Sequence, residues 1–338
     1  TIDGNTASRA GGGGSNNTGG TMTITGTLLD GNTAGAADSS SSNGGGGIFN
    51  NGGTLSIESS TILGNHAPGN SSIGGGVANR NGTVTVTGTT IAGNTAAQEG
   101  GGLWNDTSGT MTITGTLIDG NTAGAANGSD GQGGGIFNNG GTITISGAAI
   151  RDNQVLGTLG HGGGVANRDG GVSIIQTSIS GNTANSTGGG IGAEGGFVYV
   201  RRSTVANNQA KNGGGLHISG PVTLSVENST LSSNKSDDGA ALQYLGSRRA
   251  ARWLNVTIVN NDLEATGKLQ VENSIFSASE CFGAGVVSRG HNLDERDACG
   301  FDAKGDLVGV PAGLMPLADN GGPRVGDPRQ PEACLLYT

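Results

Sequence analysis

Residues 45–65 read G-G-G-I-F-N-N-G-G-T-L-S-I-E-S-S-T-I-L-G-N, and this order of elements recurs from Thr1 to about Asn261. A glycine cluster leads to an aliphatic residue with an asparagine two places on. A short turn, an alternating run and an aliphatic residue three positions before a closing asparagine complete the cassette. In the equivalent run T-M-T-I-T (21–25), strict alternation puts Met22 and Ile24 on one face and Thr21, Thr23 and Thr25 on the other. That is a strand with one wet face. The G-G-G-I-F-N-N-G stretch at 45–52 supplies a second short strand and S-S-T-I-L-G-N at 59–65 a third, each bounded by Gly or Asn where turns need positive φ.

The closing asparagines are Asn5, Asn32, Asn65, Asn94, Asn121, Asn153, Asn182, Asn208, Asn234 and Asn261, a period of 26 to 33 residues. Such a period is too long for a hairpin and suits one coil of a repeat architecture, in which each unit buries its apolar side against its neighbours. Helix-period patterns are missing. The expected fold is all-β: a right-handed parallel β-helix of about ten coils, three short strands to a coil in a triangular arrangement, over residues 1–272, with a non-repetitive capping or assembly segment at 273–338.

Two asparagine columns follow from this register. One is the closing set, Asn32 to Asn234 with its end members; the other is Asn50, Asn79, Asn105, Asn138 and Asn167. Stacking would align successive members about 4.8 Å apart, so that amides donate and accept along the axis. Both columns read as structural. A longer period lies on top: residues 21–37 return almost unchanged at 110–126, a duplication of three coils. Length varies mostly between the closing Asn and the next glycine cluster, as in Asp38 to Asn43 and Asn127 to Gln132, so one corner carries the loops. Binding functions concentrate on such loops.

Glycine numbers 70 of 338 residues, yet the aliphatic positions keep their spacing from cassette to cassette, which a disordered chain has no reason to do. Charged residues make up 13% and the net charge is −9, leaving no basic stripe for a phosphate backbone. Nucleic acid is therefore not an expected partner. No stretch is apolar for long enough to span a bilayer. The opening inside a cassette at T-I-D-G-N implies that residues upstream were removed or left out. Of the three cysteines, Cys281 and Cys299 would close a loop that a disulfide stabilises by roughly 3 kcal/mol, consistent with export, while Cys334 is left over.

Few residues suggest chemistry. Arg80 should lie beside Asp106, and Arg168 beside Glu194, as inter-coil ion pairs that fix register. The outward threonines Thr21/Thr23/Thr25, Thr54, Thr83/Thr85/Thr87, Thr110/Thr112/Thr114 and Thr142/Thr144 form a regular array similar to that of ice-binding solenoids, interrupted by Glu58 and ended by Phe197, Tyr199 and Arg201. Trp104 and Phe137 hold the same outward position on consecutive coils. They are a candidate platform for a sugar ring, or else a pair covering loop glycines. Polysaccharide-cleaving solenoids need clustered carboxylates, whereas here the acids are scattered. G-H-G at 160–162 and Asp237-Asp238 are similar to polygalacturonase motifs but come in reverse order, so no catalytic residue, metal ligand or cofactor is nominated.

Past Asn261 the chain runs through N-S-I-F-S-A-S-E-C-F-G, S-R-G-H-N-L, D-A-C-G-F, G-D-L-V-G-V and P-L-A-D-N-G-G-P. This order resembles the end of bacterial exported β-helix proteins of the choice-of-anchor Q type, and the repeats more distantly resemble those of chlamydial polymorphic outer-membrane proteins. The resemblance implies an extracellular or cell-surface protein and supplies no catalytic residues. The functional expectation is a structural or adhesive solenoid that contacts glycans or a host surface and self-associates head to tail into a fibre. Carbohydrate binding or cleavage at the loop corner is the alternative, and ice binding through the threonines a lesser one.

Overall fold

The computed structural model describes residues 1–35, 44–124, 131–246 and 251–314, so Cys334, the segment Asp38 to Asn43 and most of Asn127 to Gln132 lie outside the described residues. The chain is a parallel β-solenoid. One coil runs through Thr61–Leu63, His66–Ala67, Val77–Arg80 and Thr83–Thr87 before Thr90–Ala92 opens the next. Each strand pairs in parallel with its equivalents one coil away: Ile62 with Ile91, His66 with Thr95, Val77 with Leu103, Val84 with Met111. In coil order we call the resulting sheets A, B, C and D, and among the described residues they hold 13, 9, 11 and 11 strands.

Four sheets replace the expected three. The additional one, sheet B, consists mainly of two-residue strands directly after the closing Asn, such as Thr95–Ala96 and Thr122–Ala123. Two residues are too few for alternation to register as a pattern.

Leu55 and Ile57 of sheet D, Ile62 of sheet A and Val77 of sheet C are fully buried in one continuous core of stacked aliphatics. Each such side chain contributes about 1.5–3 kcal/mol by leaving water. The corners are sharp. Gly88 (φ 55°) turns the chain from sheet D into sheet A, and Gly93 (φ 59°) turns it from A into B; in later coils Asn228 and Asn260 adopt the same left-handed conformation. Asparagine is among the residues that tolerate this region best.

The glycine cluster has a steric cause. A Cβ on Gly75 would sit 2.4 Å from the Gly101 carbonyl oxygen and 2.5 Å from that of Thr95, and one on Gly76 would reach Asn94 Cγ at 3.3 Å. The backbone here passes directly over the closing-asparagine column, where no side chain fits.

Both amide columns are continuous hydrogen-bonded ladders. In the closing column Asn65 Nδ2 donates to Asn94 Oδ1 at 2.9 Å, Asn94 to Asn121 at 2.9 Å, and the series continues to Asn261. In the second, Asn50 donates to Asn79, Asn79 to Asn105, Asn105 to Asn138 and Asn138 to Asn167 at 2.8–3.0 Å. Asn16 begins this ladder, donating to Asn50 at 2.9 Å. A third column stands at the D-to-A corner: Ser60, Thr89, Thr177, Ser203 and Ser229 each return their hydroxyl to the carbonyl two residues earlier. The buried polar backbone of three corners is thereby satisfied from within the coil stack.

Past residue 272 the solenoid continues in narrower form. Asn261 N donates to Ser279 Oγ and Ser274 N to Asn292 Oδ1, each 18 residues on, and sheet A extends to Leu307–Val308. Sheet B stops at Lys235–Ser236, so the later coils lack it. Cys281 and Cys299 form a disulfide across one such coil, with Cα atoms 4.8 Å apart.

Candidate binding surfaces

The outward face of sheet D is a regular polar surface over its first five strands. Thr21, Thr54, Thr83, Thr110 and Thr142 are register partners in one file; Thr23, Ser56, Thr85, Thr112 and Thr144 form the next; Thr25, Glu58, Thr87, Thr114 and Ser146 the third. All are exposed or half-buried. β-Branched threonine suits this pleat, and its hydroxyl faces water. Glu58 accepts a hydrogen bond from Ser56 Oγ at 3.1 Å, which holds the single carboxylate among the three files against the sheet. Beyond Thr142 the first file passes through Gly171 to Phe197, whose ring lies over Gly171 and stacks on Tyr199 at 5.0 Å. Arg201, on the same strand, pairs with Glu227 at 3.2 Å.

Trp104 and Phe137 do stand on neighbouring coils as register partners, yet they are only 4% and 0% exposed. Rings so covered offer no platform to a sugar, one of the two readings that the sequence allows for this pair. With Phe49, Ala78, Ala166 and Ile73 these rings build a second, smaller core on the outer side of sheet C. The segment before each glycine cluster folds back over the sheet, and its residues Ile73, Glu99, Gln132, His161 and Thr187 make a column of single β-bridges. Trp104 Nε1 donates to Glu99 Oε2 at 3.0 Å, so even its polar edge is used.

This cover also redirects the charges. Arg168 places its guanidinium 5.1 Å from the Phe137 ring centroid and pairs with Glu99 at 3.4 Å, two coils back, instead of with Glu194. Glu194 lies past the end of the paired strand Ile191–Ala193 and meets His161 Nε2 at 3.5 Å. Arg80 lies over Phe49 at 5.2 Å, while Asp106 Oδ1 accepts from the backbone N–H and hydroxyl of Thr107. Both arginines thus stack on the aromatic one coil back, an attraction worth about 0.5–1 kcal/mol each.

Sheet C continues in a polar strip that periodicity does not reveal. Gly192, His217, Gln243 and Glu264 follow one another in register where the earlier coils place Trp104 and Phe137. His217 Nδ1 lies 2.9 Å from Gln243 Oε1, and Gln243 Nε2 donates to Glu264 at 2.8 Å. Burial pushes the His217 pKa below its ordinary value, against the opposing effect of the hydrogen bond to Gln243 Oε1. His161, at the upper end of the strip, has its Nδ1 against the Thr187 hydroxyl. Among the described residues no three His, Cys, Asp or Glu side chains converge as a metal site.

On sheet B lies a cleft of about 270 Å³ lined by Gln154, Thr183, Asn185, Gln209, Lys211 and Asp237, with Ala184 and Ala210 also facing it. All these residues fall between a closing Asn and the next glycine cluster, on the corner where the repeat varies in length. Gln154, Thr183 and Gln209 are register partners on successive coils. The strands Thr183–Thr187 and Gln209–Asn212 are longer than the others of this sheet, and their pairing shifts between Ala184 and Thr187. Lys211 pairs with Asp238 at 3.1 Å, and Asn185 Nδ2 donates to the Leu156 carbonyl.

No helix among the described residues is long and apolar enough to cross a membrane. No protein-family model matches the chain, and no curated protein and no solved structure matches it either.

Proposed function

We propose that the protein is an exported or cell-surface structural and adhesive β-solenoid whose contact face is the outside of sheet D. The observation that carries this reading is the three files of side chains, hydroxyl-bearing at every place but Glu58, held in register over five coils. Three internal columns satisfy the corner polar groups, which leaves the outer face to evolve for contact alone. Hydroxyls spaced about 4.8 Å apart across strands and about 6.6 Å along them make many weak, equivalent contacts with an extended partner. Adhesion of this kind gains its strength from number.

Antibody labelling of intact cells of the producing organism, together with retention of protein-coated beads on cell and abiotic surfaces, tests the reading. Thr112→Lys puts a charge in the centre of the face without touching the core and is expected to reduce retention at least severalfold. Purely internal labelling, or retention indifferent to Thr112→Lys and Thr85→Lys, would sink it. Self-association along the coil axis belongs to the same reading, and light scattering at high concentration tests it.

The strictness of the register also favours a second reading, adsorption to ice through the same threonines. Thermal hysteresis of the purified protein, abolished by Thr112→Lys, is its signature. Absence of hysteresis in the unmodified protein removes it.

A further inference from the structure

We propose that the cleft on sheet B is a binding site for a short stretch of neutral glycan. The inference goes beyond the contact face of sheet D and uses none of its residues.

The lining chemistry selects the ligand class. Three carboxamides, Gln154, Asn185 and Gln209, one carboxylate, Asp237, and the hydroxyl of Thr183 converge on a space of about 270 Å³. Carboxamides and carboxylates present two adjacent polar atoms in one plane, a match for the neighbouring hydroxyls of a sugar ring, which both donate and accept. Ala184 and Ala210, 5% and 2% exposed, belong to a small buried cluster with Ala123 and Val155, which backs the strands that carry these polar groups.

Charge argues the same way. The lining holds one cation and one anion; Lys211 is already paired with Asp238, and Gln209 Nε2 leans toward Asp237 Oδ1 at 3.5 Å. A phosphate or a polyanionic sugar would meet no uncompensated positive charge here. Hydrolysis is not indicated, because glycoside cleavage uses two carboxyl groups flanking the bond and the lining offers only Asp237. The site is therefore assigned to binding.

Its length follows from the coil spacing. Gln154 and Gln209 stand two coils apart in register, so their Cα atoms are about 10 Å apart, enough to span two sugar rings lying along the coil axis. The lengthened strands Thr183–Thr187 and Gln209–Asn212 add Asn185 and Lys211 to the lining. The coils before them keep two-residue strands at this place.

The test is titration of the full chain with xylotriose, cellotriose, mannotriose and triacetylchitotriose, followed by amide chemical shifts and calorimetry. At least one trisaccharide should bind saturably, in the range of about 0.1–1 mM expected of an open polar cleft, with shifts centred on residues 154, 183–185, 209–211 and 237. Gln209→Ala and Gln154→Ala should each weaken that binding by about fivefold with an unchanged melting temperature, and Thr183→Arg should block the cleft outright. The proposal is overturned if none of the four sugars binds at about 10 mM. It is equally overturned if binding persists in the Gln154→Ala/Gln209→Ala double variant, or if the shifts centre on Tyr199 and the threonine files. The last outcome would leave the adhesive face standing, whereas bead retention indifferent to Thr112→Lys with an intact cleft titration would remove that face and leave this site.

Discussion

Asn94 and Asn121 are joined by two hydrogen bonds to one acceptor: the side-chain Nδ2 and the backbone N–H of Asn94 both donate to Asn121 Oδ1, at 2.9 and 3.0 Å. Asn94 Nδ2 also donates back to the Ile62 carbonyl of the preceding coil at 3.0 Å. One side chain therefore ties three coils together. Both residues are fully buried, so no water replaces a lost partner. Asn121→Ala strands two donors on Asn94 and removes the donor to Asn153, and the cost of unpaired buried groups predicts a loss of about 3 kcal/mol or more. Asn121→Asp keeps the acceptor for Asn94 but buries a charge and loses the donor. It should be no less harmful. Urea midpoints of the two variants check both expectations; a shift within error of the unmodified protein for either would show that the ladder is ornamental.

Two glycine substitutions separate steric need from conformational need. At Gly101 a Cβ would lie 2.4 Å from the Gly134 carbonyl oxygen and 2.5 Å from that of Thr122, both in backbone that cannot retreat without breaking the ladder. Gly101→Ala should cost several kcal/mol or prevent folding. At Gly115 (φ +55°) no atom lies within 4 Å, and later coils place Asn228 and Asn255 in the equivalent left-handed corner. Gly115→Asn should be tolerated within about 1 kcal/mol. Thermal melts of the two purified variants make the comparison, and equal destabilisation would refute the steric account of the glycine cluster.

The parts of this molecule that repeat strictly are legible in its sequence. Leu55, Ile57 and Ile62 mark inward positions because alternation and spacing recur in every coil, and Asn65 and Asn94 mark a column because each closes its cassette. What does not repeat in the same letters is hidden. Asn16 heads the second ladder, but its coil has Gly14 where the others have an aliphatic residue, so the marker two places earlier is missing. The hydroxyl column through Ser60 and Thr89 is invisible because serine and threonine are everywhere in the chain. Trp104 and Phe137 look outward by alternation and are outward; what covers them is a fold-back at Glu99 and Gln132 that period-two reasoning does not encode. The one available signal was the glycine before them: Gly100 and Gly133 have positive φ and lie against the carbonyls of Leu103 and Ile136, the mark of a tight reversal. The cleft on sheet B depends on two lengthened strands and falls outside any repeat.

His217 gives the protein a pH dependence of known sign. Burial lowers its pKa from the ordinary 6.5, so between the two values the unfolded chain binds a proton that the folded chain does not. Stability contributed by neutral His217 is full above pH 6.5 and is lost as the pH falls through that value. His66, lowered for the same reason, acts in the same direction. Melting temperature should therefore be flat toward alkaline pH and decline below 6.5, and His217→Gln, which can still bond Gln243, should flatten the decline. A decline of unchanged slope in His217→Gln would assign it elsewhere, to His66 first.

Reduction of the Cys281–Cys299 disulfide should loosen the narrow coils around it and leave the wide coils untouched. The bond closes a loop of sequence separation 18, worth about 3 kcal/mol in the chain-entropy description. It acts on a segment that is otherwise held by non-covalent contacts, among them Phe301 edge-on to Phe276 at 5.2 Å, Cys299 N donating to Asp294 at 2.7 Å, and Asp306 accepting from Asn292 N at 2.8 Å. The narrow coils lack sheet B, so each contributes less interface to its neighbour than a full coil does. In a stack whose stability is a sum of nearest-neighbour terms, loss of the staple is felt locally. Amide exchange after treatment with a phosphine reductant should accelerate in Ile275–Ser277 and Leu293–Asp294, while Thr83–Thr87 and Thr110–Thr114 keep their protection. Exchange that accelerates equally in all coils would mean that the solenoid unfolds as one cooperative unit, with the disulfide acting on the whole stack.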